Sequence, residues 1–325
     1  TPKEMMQKAK AWLLRTAEGR RPWDTAGRQI PGGTAWDSPV AKKIMEYSAA
    51  LNGKYFDNYP APQAILQILS EASCRLESRY YTELVRSRQC KNMINAFWFD
   101  ENYIKNGSDR PKGFGKFRPK KIGIIGAGMM GSGIALACLQ NGLQVVLKDV
   151  SKLIADRASL VVWKKLSEAV SQGLVLPEEQ EAMLKRLQTT ERSEDFADCD
   201  LVLEAVIENQ MVKQKVFREA ENHLDEYAFL ASNSISIPIT TLSESLARPE
   251  QFAGLHFFHP AEEVPLVEIV RGRNTSEETV AKSFDFVRAI QKIPIIVKDD
   301  WGFFVARVQN TYILEGIALP QEGIS

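Results

Sequence analysis

The chain has 325 residues, 44% apolar and 25% charged, the balance of an ordinary globular protein with room for two domains. Lys+Arg and Asp+Glu both number 41, so no net charge argues for nucleic acid or an anionic membrane as partner. No apolar run approaches the roughly 20 residues of a membrane-spanning helix, and the N-terminus TPKEMMQKAK has no signal-peptide pattern. Cys74, Cys90, Cys138 and Cys199 have no paired or metal-like spacing, which reads as reduced thiols in a cytoplasmic compartment.

Residues 1 to about 115 hold four of the six tryptophans and no strand-like alternation. Met5, Met6, Ala9, Trp12 and Leu13 recur at helical spacing from the first residues on. Gly19–Ser38 is rich in turn residues and reads as an ordered loop. A helix is expected from Pro39 or Val40 to Ala50, and another over Gln63–Leu69, introduced by Pro60-Ala61-Pro62. Arg75–Ile104 is a long helical pattern with a break near Gln89. Its apolar side carries Tyr81, Leu84, Met93, Ile94, Phe97 and Phe99, which are expected to be core. Asn106–Pro119 reads as a linker, with glycine, proline and basic residues but no periodicity.

From Lys121 the pattern changes to alternating strands and helices. Strands are expected over Ile122–Ile125, Asp200–Val206, Phe229–Asn233, Gln251–Phe258, Leu266–Val270 and Ile293–Val297. Helices are expected over Leu153–Gly173, Pro177–Leu187, Val212–Leu224 and Ser276–Gln291. Such alternation argues an α/β fold with a doubly wound, mostly parallel sheet of the Rossmann type, preceded by a smaller all-helical segment. In that architecture ligands sit beyond the carboxyl ends of the strands.

Lys121–Asp149 has the organisation of a dinucleotide site. Gly126, Gly128 and Gly131 form G-x-G-x-x-G directly after the first strand. The first glycine allows a tight turn, the second lets backbone approach a pyrophosphate, and the third lets helix and strand pack closely. The helix that follows offers free N–H groups to the phosphates. Asp149 closes the second strand, where a carboxylate can accept from both adenosine ribose hydroxyls and disfavours a 2′-phosphate, so NAD is the expected cofactor.

Of three histidines, His223 lies on a charged helix face, ENHLDE, and reads as solvated. His256 ends a strand facing the ligand crevice, and Glu268 follows near the start of the next strand. A histidine held by a carboxylate moves protons near neutral pH, and beside a nicotinamide that pairs with hydride transfer at an alcohol carbon. His256 and His259 with Glu262 and Glu263 suggest a metal only if the segment is helical. The sequence FFHP reads instead as strand then turn, and no metal is expected.

GIIGAGMMGSGIA, the acid Asp149, LVLEAVIEN followed by Lys213, LASN with SIPIT, RPEQFAGLHFFHP, PLVEIV and Gly302-Phe303-Phe304-Val305 together resemble the NAD-binding domain of 3-hydroxyacyl-CoA dehydrogenases. The preceding stretch, from NYPAPQAIL to the helix around Asn92–Asn95, is similar to the connecting region of multifunctional fatty-acid oxidation alpha subunits, in which an enoyl-CoA hydratase domain comes first. The resemblance implies a fragment of a longer polypeptide. Residues 1–118 would be hydratase C-terminal helices and linker, 119–312 the Rossmann domain, and 313–325 the start of a C-terminal helical region. It implies His256 as catalytic acid–base and Glu268 as the residue orienting it. It places Met129 and Met130 with the glycines at the cofactor, Glu208 and Lys213 near the nicotinamide-side ribose and phosphates, and Asn233 beside the nicotinamide. The implied reaction is oxidation of an L-3-hydroxyacyl-CoA to a 3-ketoacyl-CoA. The implied setting is a dimer or a complex with a thiolase subunit.

Four positions depart from the family pattern. Ile235 stands where a substrate-bonding serine is expected, with Ser234 and Ser236 on either side. Ala306 stands in place of an asparagine, His259 in place of another, and Trp301 in place of a proline. Two readings follow: a dehydrogenase with impaired or re-tuned activity, or a NAD-binding scaffold in a multifunctional protein whose activity is the hydratase.

Overall fold

The structure is a computed structural model that describes residues 2–15, 38–40, 42–43, 45–46, 59–71 and 74–324. The loop expected over Gly19–Ser38 lies almost wholly outside the described residues, as does part of the helix expected up to Ala50. The chain forms two compact units, residues 1–102 and 103–325.

In the first unit the described elements are helical: α1 (Pro2–Arg15), α2 (Pro60–Glu71), α3 (Cys74–Arg86), α4 (Arg88–Ile94) and a π-helical turn over Asn95–Asp100. Proline opens α2, where its missing N–H costs nothing. The break in the long helical pattern falls at Ser87, whose hydroxyl accepts from the Cys90 N–H and so caps α4. The aromatic side of this run is not core within the unit. Tyr81 is 68% exposed and Phe97 58%, and Phe99 is exposed as well. Apolar residues of these helices line an open groove of about 1190 Å³ that includes Tyr81, Leu84, Met93 and Phe97.

The second unit is built on one eight-stranded sheet, in the order β3-β2-β1-β4-β5-β6-β7-β8. The strands are β1 (Lys121–Ile125), β2 (Gln144–Lys148), β3 (Leu187–Thr190), β4 (Leu201–Glu204), β5 (Phe229–Ser232), β6 (Phe252–Phe257), β7 (Leu266–Arg271) and β8 (Ile293–Lys298). Between them run α5 (Met129–Gln140), α6 (Lys152–Ser171), α7 (Pro177–Leu184), α8 (Gln210–Glu221), α9 (Ile239–Ser243) and α10 (Glu277–Ala289). A last helix, α11, runs unbroken over Val305–Gln321.

Alternate strand residues feed cores on opposite faces of the sheet. Ile122, Ile124, Leu201, Leu203 and Phe229 pack with α5, α6 and α10. Ile125, Val202, Leu230 and Phe252 pack with Phe217 of α8 and Leu242 of α9. Phe217 and Phe252 meet edge to face at 4.9 Å, both fully buried, and each such ring contributes on the order of 2–3 kcal/mol.

All strand pairs are parallel except β6–β7. The connection between those two, Phe258–Pro265, is too short for a crossover, which needs about a dozen residues or more, so β7 returns antiparallel. The helix expected to reach Leu187 stops at Leu184, and LQTT forms the edge strand β3 instead. Its single apolar residue gave no strand signal.

The stretch Asn106–Pro119 is anchored to the sheet unit. Arg110 makes a two-pronged bond to Asp285 of α10, with Nε and Nη2 each 2.8 Å from a carboxylate oxygen. Its remaining N–H groups donate to the carbonyls of Pro111, Phe114 and Gly115, folding the segment around one guanidinium.

Candidate active site

The glycine turn follows β1. Gly126 has φ +101°, and a Cβ there would come within 2.6 Å of the Ala205 carbonyl oxygen. At Gly131 a Cβ would sit 1.8 Å from the Gly126 oxygen, so only glycine lets α5 start this close to β1. Gly128 precedes α5 with open space around it, and the helix has no side-chain cap on its first turn. N–H groups at an uncapped helix start suit an anion, and the open space at Gly128 lets a pyrophosphate approach the backbone.

Asp149 follows β2. Its Oδ2 accepts from the Ala127 N–H at 2.7 Å and its Oδ1 from the Val150 N–H at 2.7 Å. These bonds lock the carboxylate beside the turn, and each oxygen keeps a lone pair for a ribose hydroxyl. Met129 is exposed and Met130 is half-buried against the core. Met129 also lines a cavity of about 510 Å³ with Gly128, Ser132, Arg157, Lys165 and His259.

The sheet register brings a histidine and a carboxylate together. His256 on β6 and Glu268 on β7 are direct cross-strand partners, and His256 Nδ1 lies 2.7 Å from Glu268 Oε2. Both are buried, Glu268 completely. A carboxylate oxygen only accepts, so it fixes the proton on Nδ1 and leaves Nε2 as the atom free to take another. The ring is flanked by Phe258 at 4.5 Å and Phe303 at 5.9 Å. Glu268 Oε1 accepts from the N–H groups of Phe304 and Val305, at 3.1 and 2.8 Å.

Lys213 is 1% exposed, with Nζ 2.7 Å from Glu204 Oε1 and 3.2 Å from Glu208 Oε2. It is enclosed in the protein between two carboxylates. Burial pushes the Glu204 carboxyl up, against Lys213, Ser232 and the Val206 N–H. At Glu208 burial also opposes ionisation. The Ser234 hydroxyl, the Ser236 N–H and Lys213 outweigh it and pull the group down to about 2.

Glu208 shapes the loop after β5. Its Oε1 accepts from the Ser234 and Ser236 hydroxyls and from the N–H groups of Ile235, Ser236 and Ile237. Both serines beside Ile235 are therefore turned to Glu208, and the Ile235 side chain is 53% exposed. Asn233 is buried, and its Oδ1 accepts from the Phe257 N–H at 2.8 Å, tying the end of β5 to the end of β6.

His259 is exposed and lines the same cavity as Met129. Nearby Glu262 is paired with Lys165. Burial opposes its ionisation, and Lys165 together with a backbone N–H more than offsets that and holds it below the usual range. Among the described cysteines Cys90, Cys138 and Cys199 are free, and burial pushes Cys138 and Cys199 up to about 12.

Three features of the site were not read from the sequence: the Glu204–Lys213 pair, the convergence of the 234–237 loop on Glu208, and the contact of Glu268 with the start of α11. For the first the signal was present, since an acid inside the apolar strand LVLEAV needs a buried partner.

A doubly wound sheet with an uncapped glycine turn, an acid after β2 and a histidine–carboxylate pair at the strand ends defines a dinucleotide-dependent dehydrogenase fold. The chain belongs to the 3-hydroxyacyl-CoA dehydrogenase family: the profile of that family's NAD binding domain matches residues 121–300. It is 31% identical over 335 aligned positions to the fatty acid oxidation complex subunit alpha of Idiomarina loihiensis, covering 99% of this chain and 46% of that protein. The chain thus spans about half the length of the curated relative it matches. Among solved structures, the (S)-3-hydroxybutyryl-CoA dehydrogenase of Ralstonia eutropha matches with TM-score 0.62 and 33% identity, over 64% of this chain and 74% of that one. The 3-hydroxybutyryl-CoA dehydrogenase of Escherichia coli K12 matches with TM-score 0.63 and 33% identity, over 64% of this chain and 44% of that one.

Proposed function

We propose that the protein oxidises an L-3-hydroxyacyl-CoA to the 3-ketoacyl-CoA with NAD. The observation that carries this reading is the 2.7 Å contact of His256 with Glu268, held in register across β6 and β7. Gly126, Gly128 and Gly131 with Met129 and Met130 line the pyrophosphate path, Asp149 takes the adenosine ribose, and Asn233 borders the nicotinamide. Glu208 and Lys213 act on that side from below, by fixing the loop after β5. NAD, when bound, accepts the hydride from C3 of the substrate. The chain supplies the proton side: His256 Nε2 takes the proton of the C3 hydroxyl as the carbonyl forms. Glu268 faces the imidazolium that results, so the new charge is met by a carboxylate already in place.

The presence of Ile235 and Ala306 at expected polar positions supports a re-tuned site with one or two fewer substrate hydrogen bonds. The Idiomarina loihiensis relative is a subunit of a complex, which supports function in an assembly. A thiolase partner, a hydratase activity elsewhere in the parent polypeptide and a cytoplasmic location complete the proposal. Among the described residues no helix is long and apolar enough to cross a membrane.

The test is NADH formation by the full-length polypeptide from 3-hydroxybutyryl-CoA and NAD. Turnover that falls about 10²-fold or more in His256→Gln, with NADH binding retained, is the expected result. NADH binding without turnover in either direction would leave only the scaffold reading.

A further inference from the structure

Glu268 does two things at once. Its Oε2 meets His256, while its Oε1 accepts the first N–H groups of α11, which has no side-chain cap of its own. What brings those N–H groups onto the carboxylate is a turn of unusual backbone. Gly302 has φ +73° and Phe303 has φ +48°, both left-handed. For glycine this is easy, whereas for phenylalanine it is disfavoured and persists only where the surroundings impose it. Here they do. The Phe303 N–H donates to the Asp300 carbonyl at 3.1 Å. Its ring is 3% exposed, in the core with Ile237, Ile239 and Val270, and 5.9 Å from the His256 ring.

We propose that Phe303 is a positioning residue for the acid–base histidine: its left-handed backbone delivers the N–H groups of Phe304 and Val305 to Glu268 Oε1, and that grip sets the carboxylate plane on which His256 rests. A carboxylate held by three donors cannot swivel about its last bond, so the imidazole it holds keeps one plane and one tautomer. Release of the two backbone donors leaves Oε1 unmatched in a buried site and lets the carboxylate turn to find another partner. The proposal rests on the acid–base role of His256 given above.

The test compares Phe303→Gly with Phe303→Ala. Both remove the same ring, and only alanine resists the left-handed turn. The primary readout is the His256 Nδ1–H proton of the 325-residue chain with labelled histidine, which is tractable because the chain has three histidines. The Phe303→Gly chain is expected to keep this signal. The Phe303→Ala chain is expected to lose it or to exchange it about tenfold faster. In the full-length polypeptide kcat should fall about tenfold further in Phe303→Ala than in Phe303→Gly, with NADH affinity the same in both. Folded variants that behave identically in the proton signal would show the turn to be only a helix start and overturn the proposal. If the alanine chain does not fold, Phe303→Leu takes its place: leucine keeps an apolar side chain but resists the left-handed turn, so a signal lost in leucine and kept in glycine supports the proposal, and equal signals overturn it. Absence of turnover in the unmutated full-length polypeptide would instead strike the proposed reaction, and the proton signal would still judge Phe303.

Discussion

Replacing Lys213 with methionine tests the buried charge cluster under the β5 loop. The lysine is 1% exposed and Glu204 is 0% exposed, so Lys213→Met leaves a carboxylate with no cation deep in the protein. Breaking such a pair from one side costs about 3–5 kcal/mol. Glu204 keeps the Val206 N–H at 2.6 Å and the Ser232 hydroxyl at 2.7 Å, which places the expected loss near the lower end, about 3 kcal/mol. Glu208 adds little, because its side chain is 32% exposed and water screens it.

The pH dependence follows from the directions of the two shifts. Glu204, pushed up by burial, binds its proton more tightly folded than unfolded. Without Lys213 that difference grows, so stability is lost as pH rises, by up to about 1.4 kcal/mol per pH unit. Glu208 runs the other way. It is held at about 2, so its contribution is present above the usual carboxyl range near ~4.3 and is lost as pH falls toward 2. Lys213→Met weakens that hold. The deficit of the variant is therefore widest near neutral pH and narrows in acid. Urea denaturation followed by circular dichroism at about pH 8 and about pH 5 measures it. A deficit below about 1 kcal/mol, or one independent of pH, would refute the reasoning.

Five further outcomes are expected. His256→Gln should lower kcat roughly 10²–10⁴-fold while NADH still binds, and Glu268→Gln should lower it by a smaller factor, both read from NADH formation in the full-length polypeptide. Gly131→Ala should weaken NADH binding at least about tenfold, since a methyl 1.8 Å from the Gly126 oxygen must push α5 off the turn; unchanged affinity by fluorescence titration would contradict the role given to the turn. Arg110→Ala should destabilise the sheet unit by about 3 kcal/mol, because Asp285 is left 6% exposed with the Phe117 N–H as its remaining bond; an unshifted melting temperature would rule out that anchor. Ile235→Ser combined with Ala306→Asn should raise kcat by about tenfold or more if one substrate hydrogen bond is restored, and no gain would favour the scaffold reading.

Much of the sheet was legible because its signals are local. β1, β4 and β7 are apolar runs, and the glycine turn and Asp149 are fixed by spacing along a single βαβ unit. His256 and Glu268 could be paired because each ends or begins a strand that the pattern marks. What escaped depends on distant parts of the chain. β3 carries one apolar residue and is a strand because β2 offers it an edge. The antiparallel return of β7 comes from a short connection rather than from its own sequence. Lys213 looks like any lysine on a helix, and only the fold places it between Glu204 and Glu208. Tyr81, Phe97 and Phe99 recur like core residues, yet periodicity tells that a face is apolar and not whether it is covered. The left-handed turn at Phe303 has no residue signature, because phenylalanine adopts it only under packing.

Titration of the 325-residue chain with NADH and with NADPH, followed by cofactor fluorescence, tests the central claim most directly. Expected is saturable one-to-one binding of NADH, at least about tenfold tighter than NADPH, because the carboxylate of Asp149, held by the Ala127 and Val150 N–H groups, repels a 2′-phosphate in the proposed ribose site. Asp149→Ala should weaken NADH about tenfold or more and erase most of the preference. No binding of either cofactor, or NADPH bound as tightly as NADH with Asp149 intact, would contradict it.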